Sequence, residues 1–90
     1  MRTIHKYPLW VNDAEPCSVM MPEGAVVIHV GTQPSSANAP VLWCQVETEA
    51  KNVIRRFHIY GTGWEVDPLH VYVGTTQIGP YVWHVFEEAS

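Results

Sequence analysis

The sequence predicts a single all-β domain, and three observations support this fold class. Val, Ile, Thr, Tyr, Phe and Trp recur in short runs, which is typical of strands. Seven prolines and six glycines lie mostly between these runs, where they favour turns. No window of about a dozen residues keeps a helical period without a breaker. We therefore expect a small antiparallel sheet, sandwich or partly open barrel of six to seven short strands, with little or no helix.

The strands can be assigned from these runs. There are six, or seven if the short piece at 18–21 is counted separately. The best candidate for helix is one turn around residues 48–52. In chain order, the predicted strands are 3–11, 18–21, 25–32, 41–48, 53–60, 69–76 and 81–87.

The segments between the runs have turn chemistry. Residues 21–24, Met-Pro-Glu-Gly, predict a tight turn because Pro presets its backbone angle and Gly accepts a positive one. Residues 78–80, Ile-Gly-Pro, predict the last turn. Gly-Thr-Gly at 61–63 and Asp-Pro at 67–68 bracket another loop. The polar stretch 33–40 is the longest linker, and we expect it to be a mobile loop.

Length and charge bound the domain count and the class of partner. Ninety residues can close one hydrophobic core, so we expect one domain over 1–90. A composition of 47% hydrophobic and 16% charged residues is that of a globular protein. Nine acidic residues against five Lys and Arg leave a net charge of −4, which repels phosphate backbones. The charge argues against general nucleic-acid binding.

The sequence also predicts the cellular location and the state of the two cysteines. The N-terminal residues lack the apolar core of a signal peptide, and no apolar stretch reaches the roughly 18 residues of a membrane span. We expect a cytoplasmic protein that does not enter a membrane. Cys17 and Cys44 form neither a CxxC pair nor a zinc spacing, so unpaired thiols are predicted. Alternation places Cys44 with Leu42 and Val46 on a buried face, whereas the polar surroundings of Cys17 predict a bystander.

A polar face is predicted on the strands of the C-terminal half. Arg56, His58 and Tyr60 alternate with apolar residues and therefore share one face of their strand. If the next strand returns antiparallel through the loop near Gly63–Trp64, paired residue numbers sum to about 130. Tyr60 then lies opposite His70, and His58 opposite Tyr72.

The same register sets Arg56 opposite Gly74, and the last strand adds His84 to this face. Tyr81, Trp83 and Val85 are then expected to point with Val71 and Val73 into the core. Thr62 lies in the loop at the edge of the face. The predicted ligand-binding residues are Arg56, His58, Tyr60, Thr62, His70, Tyr72 and His84.

Two interpretations of this face remain open. Antiparallel sheets commonly bury one face and wet the other, so the cluster can be solvated surface alone. A binding surface is indicated by its composition, because aromatic rings, imidazoles and a guanidinium stack on flat rings and hold anions. Gly61 and Gly63 would also let backbone N–H groups approach a phosphate.

The sequence offers no catalytic machinery. The five histidines show no HxH or HExxH spacing, so no metal site is predicted. No nucleophilic serine elbow, Walker loop or placed carboxylate pair is present, and we expect neither an enzyme nor a cofactor. The four tryptophans are expected to be mostly core, with Trp64 in its loop exposed as an anchor.

Several segments, spread over nearly the whole chain, resemble those of a known protein family. They are Lys6-Tyr7-Pro8-Leu9, Met21-Pro22-Glu23-Gly24-Ala25, Leu42-Trp43, the stretch Arg-Arg-Phe-His-Ile-Tyr-Gly-Thr-Gly at 55–63, Tyr72-Val73-Gly74-Thr75 and His84-Val85-Phe86-Glu87. Together they resemble a family of small phage and prophage proteins of unassigned function, and the stretch at 55–63 is the most specific. The polar insertion at 33–40 departs from the family pattern. No catalytic residues come with the family.

The resemblance implies an accessory protein of a phage, acting in the cytoplasm of the infected bacterial host, and such proteins are often counter-defence factors. The first expectation is a protein that sequesters a small anionic, nucleotide-like immune signal. The alternatives are a protein-protein inhibitor of a host defence complex, similar to an anti-CRISPR protein, and a structural homo-oligomeric phage component whose strand edges pair between copies.

Overall fold

Seven antiparallel strands make up the computed structural model, which describes residues 1–11, 15–34 and 39–89. No described residue is helical, and residues 48–50 form a turn in which the Ala50 N–H donates to the Glu47 carbonyl at 3.1 Å. The all-β prediction is confirmed. Residues 35–38 of the predicted loop at 33–40 lie outside the described residues. The strands are β1 (Arg2–Pro8), β2 (Cys17–Pro22), β3 (Val26–Gly31), β4 (Val41–Glu47), β5 (Asn52–Gly61), β6 (His70–Ile78) and β7 (Tyr81–Glu88).

The strands form two sheets packed as a sandwich. One sheet has three strands in the order β1-β4-β3, and the other has four in the order β2-β5-β7-β6. Every pairing is antiparallel. The sheets meet where β3 packs on β6 and β2 on β4. Of the architectures that the sequence left open, the structure is therefore an open sandwich.

The core lies between the inner faces of the two sheets. Phe57, Met21 and Leu42 are fully buried there, together with Cys44 as predicted. Cys17 is also buried, at 2% exposure, and its thiol donates to the Trp10 carbonyl at 2.9 Å. The prediction that Cys17 is a bystander is wrong, because β2 turns this side chain inward at the start of the strand. Both thiols are free.

The turns follow the predicted chemistry. Gly24 has a φ of 82°, and the Ala25 N–H donates to the Pro22 carbonyl at 3.1 Å. Gly79, with a φ of 58°, makes the turn between β6 and β7. Only glycine adopts these backbone angles at low cost, so both turns are set by the sequence.

The predicted pairing of β5 with β6 is wrong. β7 lies between them and pairs with both. The tight turn at Gly79 makes β6 and β7 a hairpin, whereas the connection 62–69 from β5 to β6 is long enough to pass the width of an intervening strand. The hairpin therefore adds to β5 through its second strand.

Two side chains predicted for the core are exposed. Val71 and Tyr81 are 58% and 63% exposed, whereas Val85 is buried and Trp83 and Val73 are half-buried. The four-stranded sheet is wider than the three-stranded sheet that covers it, so the margins of its inner face stay open.

The tryptophans depart from the core prediction as well. Trp10 is exposed, and Trp43 and Trp83 are half-buried. Trp64 is exposed, as its loop position predicted. In the part of the chain that the structure describes, no helix is long and apolar enough to cross a membrane.

Candidate functional site

The outer face of β5, β7 and β6 carries the residues that sequence analysis singled out. β7 is the central strand, and the register places His84 between Tyr60 on β5 and Thr75 on β6. One step along, Phe86 lies between His58 and Tyr72. These rows bring rings from three strands onto one surface. We call it the aromatic face, and it consists of Arg56, His58, Tyr60, His70, Tyr72, His84 and Phe86.

A bulge in β6 changes which side chains reach this face. The register shifts between Tyr72 and Gly74, so Thr75 lies opposite His84 on the outer side. Gly74 faces the three-stranded sheet, where an added Cβ would lie 2.5 Å from Cγ2 of Val30 on β3. The predicted pair of Arg56 and Gly74 is wrong because β7 lies between β5 and β6, and Gly74 pairs with Val85 of β7.

A hydrogen-bonded histidine pair occupies one end of the aromatic face. His58 and His70 stack with ring centroids 4.0 Å apart and planes at 25°. Nε2 of His58 lies 2.7 Å from a carboxylate oxygen of Glu88. The Tyr60 hydroxyl lies 2.7 Å from Nδ1 of His70 and accepts the backbone N–H of Asp67 at 3.3 Å. These contacts hold the rings in fixed positions.

A second network centres on His84. Its Nε2 lies 2.8 Å from the Thr62 hydroxyl, and its Nδ1 lies 3.0 Å from the Thr75 hydroxyl. The Tyr72 hydroxyl lies 2.7 Å from that of Thr75. Because each hydroxyl can donate or accept, the two threonines satisfy either neutral tautomer of the imidazole.

Phe86 joins the two networks. Its ring meets Tyr60 edge to face at 5.3 Å and Tyr72 at 5.5 Å. Such aromatic pairs contribute about 0.5–1.5 kcal/mol each beyond area burial. The face is therefore one continuous array of rings rather than a set of isolated side chains.

Arg56 and Arg55 point to opposite sides of β5. Arg55 lies on the inner face, where Glu87 binds its guanidinium at 2.6 and 2.8 Å. Arg56 lies exposed on the outer face, beside Ser18 of β2. Among residues 1–11, 15–34 and 39–89, no carboxylate pairs with Arg56. Its donors are open to a ligand.

The loop at 61–63 lies beside the aromatic face, and its two glycines have separate structural roles. An added Cβ on Gly61 would lie 2.8 Å from the indole of Trp64, so glycine at this position lets the indole pack closely on the backbone. Gly63 has a φ of 90° and makes the turn. Trp64 also meets Trp83 edge to face at 5.9 Å, beside a groove of about 510 Å³.

All seven predicted residues lie on the same side of the four-stranded sheet, although the predicted strand order was wrong. The structure adds Phe86, Glu88 and Thr75, which sequence reasoning missed. Phe86 and Glu88 share the parity of His84, so alternation along β7 was the signal that could have found them. Thr75 has the opposite parity to Tyr72 and reaches the face only through the bulge.

The histidine pair and Glu88 group three potential metal-ligating side chains. His58, His70 and Glu88 each offer a ligand atom, and these atoms lie within 4.8 Å of one another. The sequence predicted no metal site, since the three residues belong to three strands and show no motif spacing.

Fold and face together define the class: a small open β-sandwich whose four-stranded sheet presents aromatic and imidazole rings with an exposed arginine. The chain belongs to the family described as Domain of unknown function (DUF7352), whose model matches residues 1–90. No curated protein and no solved structure matches the chain. The family description names no activity, ligand or partner, and function is therefore inferred from the face itself.

Proposed function

We propose that this chain is a non-catalytic binding protein whose aromatic face takes a small, planar, anionic ligand of the nucleotide class. The observation that carries the proposal is the exposed guanidinium of Arg56, which pairs with no carboxylate among the described residues and lies on the same outer face as a continuous array of rings. Rings supply stacking for a base, and the guanidinium supplies a forked donor for a phosphate.

The stacking partners are arranged in advance. Tyr72 is 58% exposed and is held by the Thr75 hydroxyl and the Phe86 ring. Stacking of a base on an aromatic side chain is worth about 1–3 kcal/mol. Because the rings are fixed by contacts within the protein, little side-chain freedom is lost on binding.

Charge favours a small ligand over a polymer. The net charge of −4 opposes the long-range attraction on which polynucleotide binding depends. A single phosphate or diphosphate needs only local donors, and Arg56 supplies these. The hydroxyl of Thr62 and the ring of His84 add polar contacts at the other end of the face.

The non-catalytic part of the proposal is supported by where the nucleophiles lie. Burial raises the pKa of the Cys44 thiol to about 11 and also raises that of Cys17. Both thiols lie in the core, away from the aromatic face. A protonated, buried thiol is inert as a nucleophile.

The biological setting that we propose is counter-defence by a phage accessory protein, with a nucleotide-like immune signal as the sequestered ligand. Its support is the resemblance of the segments quoted above, with the stretch at 55–63 the most specific. In this setting the protein acts in the cytoplasm of the infected host and lowers the free concentration of the signal without consuming it.

A second candidate function is protein binding, and the other sheet favours it. The outer face of β1 and β3 exposes Ile4, Val26 and Ile28. Apolar side chains grouped on a sheet face are typical of an interface with a second protein or a second copy of the chain. An inhibitor of a host defence complex, similar to an anti-CRISPR protein, and a homo-oligomeric phage component both belong to this alternative.

Thermal melting with a panel of cyclic nucleotides and ADP-ribose derivatives tests the proposal. A ligand at 100 times its Kd stabilises the folded state by about 2.7 kcal/mol. For a domain of this size, that corresponds to a rise in Tm of roughly 10–20 °C.

Arg56→Ala is expected to weaken binding at least about tenfold through loss of a charge-assisted hydrogen bond. Arg2→Ala is the matched control, since Arg2 is an exposed strand arginine on the other sheet. No shift with any member of the panel, together with co-purification of a host protein, would favour the protein-binding candidate instead.

A further inference from the structure

We infer that His58, His70 and Glu88 form a binding site for a divalent transition-metal cation, with Zn²⁺ as the probe. The ligand atoms of the three residues lie within 4.8 Å of one another at one end of the aromatic face. The inference does not depend on nucleotide binding, and metal alone tests it.

The donor set selects the class of cation. Two imidazole nitrogens and one carboxylate oxygen suit Zn²⁺ and related transition metals, whereas Mg²⁺ and Ca²⁺ take oxygen ligands. Three protein ligands leave a fourth position in a tetrahedral shell for water or another ligand. The Glu88 side chain is 38% exposed, so that position can open to solvent.

One ligand distance is already short enough for a shared cation, and the others lie within 4.8 Å. Zn–N and Zn–O bonds of about 2.0–2.1 Å set tetrahedral ligand atoms about 3.3 Å apart. Nε2 of His58 and a Glu88 oxygen already face each other at 2.7 Å. The cation would replace the proton that this pair now shares. The stacked rings must also rotate until their nitrogen lone pairs converge, because their planes are only 25° apart.

The surroundings of His70 resemble the support that metal-ligating histidines have. Such histidines donate their second ring N–H to an oxygen, which fixes the tautomer and the ring orientation. The Tyr60 hydroxyl lies 2.7 Å from Nδ1 of His70, which leaves Nε2, 3.8 Å from an Asp67 carboxylate oxygen, as the ring nitrogen that can bind a cation. The His70 side chain is only 11% exposed, and its position is well defined by packing. Tyr60 is therefore a positioning residue of this site.

Strand pairing brings the ligands together. Glu88 on β7 lies opposite His70 on β6, and His58 lies one row along on β5, diagonally across from Glu88. Two backbone ladders thus hold the three Cα atoms. A site built on strands needs only side-chain movement to close.

The experiment is a titration of tag-free protein, freed of metal with a chelator, in competition with a chromophoric zinc indicator. We expect one equivalent of Zn²⁺ to bind, with Mg²⁺ having no effect. His58→Gln and Glu88→Gln are each expected to weaken Zn²⁺ binding more than about 100-fold, and Tyr60→Phe by about 10-fold. His5→Gln, an exposed histidine on β1, is the control and should leave binding unchanged.

Circular dichroism and melting of each variant establish that it is folded. Long-range ¹H–¹⁵N spectra of the wild type give a second readout, in which the ring nitrogens of His58 and His70 should shift on addition of one equivalent. Absence of stoichiometric binding would overturn the inference. So would binding that survives in folded His58→Gln and Glu88→Gln, or shifts confined to other histidines.

Discussion

The ion pair between Arg55 and Glu87 gives the sharpest stability prediction. Nε and Nη2 of Arg55 donate to the two carboxylate oxygens of Glu87 at 2.6 and 2.8 Å, and Nη1 donates to the Ala25 carbonyl at 2.5 Å. Ala25 immediately precedes β3, so the guanidinium ties the four-stranded sheet to the end of the other sheet. The hydrogen bonds to Glu87 raise the pKa of Arg55, which therefore stays charged.

Arg55→Met removes all three hydrogen bonds and leaves the Glu87 carboxylate without its partner. Breaking a buried pair on one side costs about 3–5 kcal/mol, but the two side chains are 22% and 21% exposed, so we expect about 2–4 kcal/mol. With an m-value of about 1–3 kcal/mol/M, the urea midpoint should fall by roughly 1–4 M.

The double variant Arg55→Met with Glu87→Leu separates the pair from general packing. Since it leaves no unpaired charge, it should recover about half of the loss or more. Lys51→Met is the matched control, because the pair of Lys51 and Glu23 is exposed at 3.8 Å and contributes at most about 1 kcal/mol. A loss below about 1 kcal/mol for Arg55→Met, or no recovery in the double variant, would refute the reasoning.

Four other predictions concern the core. Gly74→Ala should destabilise by about 1–3 kcal/mol because its Cβ would lie 2.5 Å from Cγ2 of Val30; adding Val30→Ala should relieve this clash in part, since the Cβ of residue 30 remains at 2.9 Å, and fully additive losses in urea melts would contradict this. Phe57→Ala should cost about 3–5 kcal/mol, since the ring is fully buried, and a loss under 1 kcal/mol would place Phe57 outside the core. In the native protein at pH 8, both thiols should react slowly with a thiol reagent, because burial keeps Cys17 and Cys44 protonated. They should react fast in denaturant, and fast labelling of the native state would contradict this. The pKa of Cys44 rises on folding from 9.0 to about 11. The stability that comes from keeping this thiol protonated in the core is therefore fully present below pH 9 and is lost as the pH approaches 11. A Tm that does not change over that range would contradict the shift.

Strand positions and turns were predictable because their causes are local. Alternation of apolar side chains identified β5, and the glycines at 24 and 79 with their neighbouring prolines identified two turns. The order of strands in the sheet was not predictable in the same way. The loop at 62–69 permits β5 to pair directly with β6 or to leave room for β7, and only packing of the whole domain decides between these.

The predicted residues still lie on one face of the sheet although the predicted strand order was wrong, and the reason is physical. Parity along a strand fixes which side of the sheet a residue faces, and inserting β7 between β5 and β6 does not alter the parity of His58 or Tyr60. Parity failed only at the bulge in β6, where Thr75 replaces Gly74 on the outer side. At the bulge, Gly74 lies close to Val30 of the other sheet, a contact that alternation along β6 does not reveal.

The cluster of His58, His70 and Glu88 could not be predicted from spacing. Metal motifs within one strand or helix have a fixed period, but these residues lie on three strands and meet only through two registers. The buried state of Cys17 was missed for a related reason, since its polar neighbours in sequence are not its neighbours in the fold.

Binding at the aromatic face is the central claim, and ¹H–¹⁵N spectra titrated with the panel of cyclic nucleotides and ADP-ribose derivatives test it most directly. We predict that at least one member shifts the resonances of Arg56, His58, Tyr60 and Tyr72 in a saturable manner, while those of β1 and β3 stay in place. Shifts confined to β1 and β3, or no saturable shift with any member of the panel, would contradict it.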